Sequence, residues 1–242
     1  MADTTDPRRQ SHPGVISKVL TAVADCLKWL LLSLFFSIVV EWFGMTLWWE
    51  EQGLEHSRQL LVNELNFLGE DFNRSLLTSD PLQFASEVAE WSYRLAFQWS
   101  GVVVFIQWLE SEPGADKTGL RSCIYRIYQP VSQYILASMQ ITQVFAVRLT
   151  VLTLATPVFG LFTLVALVDG LVRRDLRRWG GGRESSFVYH YAKKAAVPLI
   201  FSCWMLYLGL PFSLHPSWII LPFALAFAFV VTTAASTFKK YL

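Results

Sequence analysis

Residues 144–178 read VFAVRLTVLTLATPVFGLFTLVALVDGLVRRDLRR, and this stretch decides the fold. Its first part, 144–168, holds Arg148 as its one charge. An apolar run of about 20 residues crosses a hydrocarbon core of roughly 30 Å. Arg173, Arg174, Arg177 and Arg178 then close the run, as cytoplasmic flanks of spanning helices do under the positive-inside rule.

Three further runs have the same character: 27–49, 195–214 and 218–238. The run after Cys26 reads LKWLLLSLFFSIVVEWFGMTLW and ends at Trp48 and Trp49, where an interfacial aromatic belt would lie. Glu41, Trp42 and Phe43 stand where a signal peptide would carry a small-residue cleavage site, so this run reads as an uncleaved anchor. Pro157, Pro198, Pro211 and Pro222 fall in or beside the later runs. Proline in a spanning helix requires neighbours that satisfy the freed carbonyl, which points to a packed bundle. With 53% apolar and 16% charged residues and a mean hydropathy of +0.38, lipid is the first solvent to consider. The expectation is an all-α integral membrane protein with about four transmembrane helices and an inserted helical periplasmic domain.

That inserted domain is 50–143. Leu54, Leu61, Leu65, Leu68 and Phe72 form one apolar stripe on a helix. Asp80, Pro81 and Gln83 make a helix-start signature, and Phe84, Val88, Trp91, Leu95, Val102, Ile106 and Leu109 are expected to continue on one face. The run 99–109, WSGVVVFIQWL, is too short to cross. A third helix is expected from near Gly119, and no alternation of period two suggests a strand.

Charge segregation orients the chain. Residues 50–143 hold six Lys/Arg against twelve Asp/Glu, and 169–194 hold seven against three. The tail 1–26 carries Arg8, Arg9 and Lys18, and the end 239–242 carries Lys239 and Lys240. Four crossings place the tail, the basic loop and the C-terminus in the cytoplasm of a bacterial inner membrane, with the acidic domain outside.

Glu41 and Arg148 are the two charges inside the runs. A charge at mid-membrane costs at least about 2.5 kcal/mol, so each needs a partner or an exit. Two arrangements meet this need: a Glu41–Arg148 pair joining the first two spans, or separate snorkelling of each to the outer headgroups. In the loop, Arg173, Arg174, Arg177 and Arg178 share one helical stripe, and Arg183 follows Gly180, Gly181 and Gly182, which act as a hinge. The stripe suits anionic lipid or an acidic cytoplasmic partner. Direct nucleic-acid contact is disfavoured, because Trp179 and Tyr189 are the only stacking groups nearby. His12, His56, His190 and His215 are remote from one another, Cys26, Cys123 and Cys203 are scattered, and no nucleophile-and-base grouping stands out. No metal site, cofactor or enzyme activity is implied.

The loop VDGLVRRDLRRWGGGRESSFVYHYAKK, 168–194, followed by a proline-containing span, resembles the multi-pass membrane proteins of bacterial integrating conjugative elements. The resemblance extends to the single anchor and the helical segment after it. It implies a place in a DNA-transfer apparatus of the type IV secretion class, in the company of its coupling ATPase, and it implies no mechanism. An adaptor needs surfaces and no catalytic group, which fits these residues. The alternative, a small transporter or channel subunit, needs several polar residues facing a pore. Oligomeric state is not legible in the residues.

Overall fold

The computed structural model describes residues 15–71, 78–111, 120–181 and 186–238. Among them are seven α-helices, a five-residue π segment and no strand. The helices are α1 (Val15–Leu47), α2 (Leu54–Asp71), α3 (Pro81–Tyr93), α4 (Val102–Glu110), α5 (Leu120–Trp179), α6 (Ser186–Gly209) and α7 (Pro216–Thr237). The π segment, Arg94–Gln98, joins α3 to α4.

The 60-residue α5 is the axis of the molecule. At about 1.5 Å per residue it is about 90 Å long, far more than a bilayer requires. The boundary expected at 143/144 is therefore not a helix boundary. No glycine interrupts α5 before Gly160, and Pro130 and Pro157 are accommodated within it. The other helices are placed along this axis by pairwise contacts. Trp42 of α1 reaches Ser138, and Ile38 packs with Ile141 and Val144, so α1 runs antiparallel to α5. Ser57 of α2 meets Gln140 and Glu64 meets Arg148, so α2 runs parallel to it in nearly constant register. Thr232 of α7 donates to Ala166 O at 3.1 Å, fixing α7 beside the second half of α5.

One core joins the elements: Leu68 of α2, Ala85 and Ala89 of α3, Val147, Val151 and Leu152 of α5, Tyr207 of α6 and Ile219 of α7. The α2–α3 pair thus packs on the same stretch of α5 that reads as a membrane run. The interface of α5 with α7 is closer still. A Cβ on Gly170 would stand 2.6 Å from Ala235 Cβ and 2.8 Å from Thr232 O, so only glycine lets the two backbones approach this far.

Three helices are long and apolar enough to cross a membrane: α1, α5 and α7. The run expected over 195–214 is not among them, because α6 stops at Gly209 ahead of Pro211 and carries Lys193 and Lys194 within it. Its apolar helical part is 195–209, shorter than the roughly 20 residues of a full span. Conversely, α1 starts at Val15 rather than 27, because Ile16, Leu20, Val23 and Leu27 already recur at helical spacing. Large apolar side chains stand exposed on all three long helices, Phe35, Leu164 and Phe229 among them. An apolar exterior of this kind is compatible with membrane residence.

The large apolar residues of α3 face outward. Asp80 caps it, its carboxylate accepting from Gln83 N at 3.1 Å, with Pro81 at the first helical position. The Gln83 side chain turns to Glu87 instead of returning to the cap. The buried residues are Pro81, Ala85 and Ala89, while Phe84, Trp91 and Leu95 face outward. Small residues let α3 lie close against α5, and its large apolar residues are left for the surroundings. The π segment and the left-handed Gly101 (φ 79°) then change the phase, so that Leu109 of α4 is buried.

Candidate functional site

Arg148 and Glu64 form the most buried ion pair among the described residues. Glu64 Oε1 accepts from Arg148 Nε at 2.9 Å and lies 2.8 Å from a terminal guanidinium nitrogen. Tyr207 donates its hydroxyl to Glu64 Oε2 at 2.9 Å, and its ring centre lies 5.6 Å from the guanidinium carbon. The other guanidinium N–H groups donate to Leu210 O at 2.5 Å and Phe212 O at 3.0 Å. These carbonyls follow the end of α6, where helix acceptors lack intrahelical donors and the dipole favours a cation. One arginine therefore ties together α2, α5, α6 and the turn into α7. Every strong group in the cluster has a partner, the condition under which a buried pair is tolerated.

The Glu41–Arg148 pair weighed from the sequence does not form. The Trp42 indole N–H is shared between Tyr134 O at 3.1 Å and Ser138 Oγ at 3.0 Å, which sets Glu41 opposite the 138 level of α5. Arg148 lies ten residues further on, about 15 Å along a helix, and α2 supplies a nearer carboxylate. Glu41 instead lies 3.0 Å from His56 Nδ1. Trp49 stacks on the His56 ring with centres 4.0 Å apart, and its indole occupies the space where a Cβ on Gly44 would stand. Separate snorkelling does not occur either, since Glu41 and Arg148 are both buried. The apolar stripe read on α2 gave no signal for Glu64 or His56, which are polar residues outside it.

The four arginines at the end of α5 are not equivalent. Arg173 pairs with Asp169 at 2.9 Å, and Arg174 with Asp175 at 3.3 Å. Arg177 turns inward and donates to Ser236 O at the C-terminus of α7. Arg178 stays exposed beside Asp175 and Trp179. The helix stops at Trp179, and Gly180 and Gly181 follow, Gly181 with φ +66°. Gly182 and Arg183 lie outside the described residues, as do His12, Lys239 and Lys240.

Among the described residues, no three His, Cys, Asp or Glu gather to hold a metal ion. Cys26 is an exposed free thiol and Cys203 a buried one. The geometry thus offers anchoring and surface charge. Residues 48–239 match the family model described as IncC plasmid conjugative DNA transfer protein DtrJ-like. The chain belongs to the DtrJ-like family. No curated protein and no solved structure matches it. The DtrJ-like match begins at Trp48, so it covers α2 to α7, with Arg148 and the basic end of α5, and it omits α1. The resemblance to conjugative-element membrane proteins agrees with it at the level of conjugative DNA transfer. This DtrJ-like chain lacks a metal-binding, catalytic or disulfide feature among its described residues.

Proposed function

We propose that the chain is an inner-membrane adaptor of a conjugative DNA-transfer apparatus of the type IV secretion class, working through protein–protein contacts. In this reading α1, the 144–168 part of α5, α6 and α7 cross the bilayer, with both termini cytoplasmic. The 210–214 segment completes the short α6. Helices α2 to α4 lie on the periplasmic side, and their tip enters the outer leaflet beside α5.

The observation that carries the reading is how the polar groups are distributed. Arg148 and Glu64 are saturated by each other and by Tyr207 and the α6 end, so they have no capacity left to relay a proton or line a pore. Surplus positive charge, meanwhile, stands at one end on Arg178, Lys193 and Lys194, all exposed. Family membership supports DNA transfer as the setting. An acidic face of a cytoplasmic component, such as a coupling ATPase, is the partner such a surface suits.

The test is recovery of transfer components with the membrane-extracted protein, comparing wild type with Arg173→Ala/Arg174→Ala/Arg178→Ala. Arg177 is left intact because it caps α7. Wild type should recover a transfer or coupling component and the variant should lose it at unchanged protein level. Recovery of none with wild type, or equal recovery with both, counts against the adaptor reading.

A further inference from the structure

Toward the basic end, residues of α5, of the start of α6 and of the end of α7 line a groove of about 390 Å³. Its walls are apolar, Leu167 and Leu171 from α5, Ala196 from α6 and Val231 and Ala234 from α7, and its rim holds Lys193 and Tyr189. Tyr189 is held there by an edge contact with Phe238, ring centres 5.8 Å apart. Lys193 is exposed and has no ion pair among the described residues. Arg177 is engaged elsewhere, donating to Ser236 O of α7, so Lys193 is the cation that the groove itself presents.

An apolar trough with a free amine and a tyrosine at its rim suits an acyl chain joined to a phosphate. The loop 169–194, with seven basic against three acidic residues, selects an anionic headgroup. We propose that this groove holds one anionic phospholipid, its chain against Leu167, Ala196 and Val231 and its phosphate at Lys193. The inference rests on the reading above that this end faces the cytoplasmic leaflet. The lipid would fill the space between α6 and the closely packed α5–α7 pair, and so hold the basic surface in one arrangement.

The protein is released from nanodiscs of phosphatidylcholine with phosphatidylglycerol, and retained lipid is read by native mass spectrometry. One phosphatidylglycerol should remain bound in preference to phosphatidylcholine. Lys193→Gln should weaken its retention about fivefold, the effect of removing one surface cation. Ala196→Trp, which fills the trough, should abolish it. If that variant does not fold, Leu167→Trp at the exposed rim blocks the same space. Equal retention of both lipids, retention unchanged in the variants, or equal stabilisation by inorganic phosphate alone overturns the proposal. A parallel arm labels a cysteine at Gly181 with an impermeant maleimide. Labelling only from the periplasmic side overturns the topology; cytoplasmic labelling without lipid preference overturns the lipid site alone.

Discussion

Arg148 lies in a run of valines, leucines and threonines and yet is among the least exposed residues of the chain, at 2%. Its worth lies in the number of segments that it holds together. Breaking such a buried pair from one side leaves an uncompensated charge and costs about 3–5 kcal/mol, whereas replacing both partners by apolar groups is far milder. Glu64→Ala and Arg148→Met are each expected to destabilise by about that amount. Glu64→Leu/Arg148→Met should recover much of the loss, read as unfolding midpoints in detergent. Glu41→Gln should be milder than either single change, because Glu41 has one partner where Glu64 has both oxygens engaged. If Glu41→Gln proves the worst of the three, the assignment of Glu64 as the partner is wrong. In the sequence, Arg148 was legible as a residue needing a partner. Glu64 was not, because it lies 84 positions away and only the register of α2 on α5 brings the two together.

Among the elements, α3 and α7 show packing set by small residues. In water the large apolar residues of an amphipathic helix go inward; on α3 the alanines do. Trp91→Ser should therefore leave the fold nearly intact, while Ala89→Leu should separate α3 from α5 and cost about 1–3 kcal/mol of overpacking. Thermal unfolding in detergent distinguishes the two, and the opposite ranking would count against the outward placement of Trp91. Gly170→Leu meets Ala235 and Thr232 at closer than contact distance. It should lower the yield of a disulfide between cysteines placed at Ala166 and Thr232, while Gly160→Leu, with open space around its Cβ position, should not. The start of α3 was readable because its signals are local: a capping Asp and a Pro at the first turn. Its burial was not readable, since periodicity identifies a stripe and not what the stripe faces.

Seen as a whole molecule, α5 orders everything else. Two of its arginines terminate the two helices that follow: Arg148 binds carbonyls beyond the end of α6, and Arg177 binds one at the end of α7. Cations at helix C-termini are stabilising through the dipole and the unpaired carbonyls. Arg177→Ala should thus loosen the end of α7, seen as faster hydrogen exchange over 230–238, whereas Arg178→Ala should leave exchange there unchanged. Topology is tested at the same scale. Impermeant labelling should modify Asn66 only from the periplasm and Gly181 only from the cytoplasm. Modification of both from one side would remove the basis for the adaptor reading.

By itself the sequence determined the helical class, the apolar runs, the capped start at Asp80 and the stop after Trp179, because periodicity, capping and glycine act within a few residues. The tertiary structure alone decided the partners of Glu41 and Arg148, the outward face of α3 and the length of helix left to α6. Those outcomes depend on the register in which remote helices meet. In a chain with an apolar exterior, hydrophobicity no longer says which side is in.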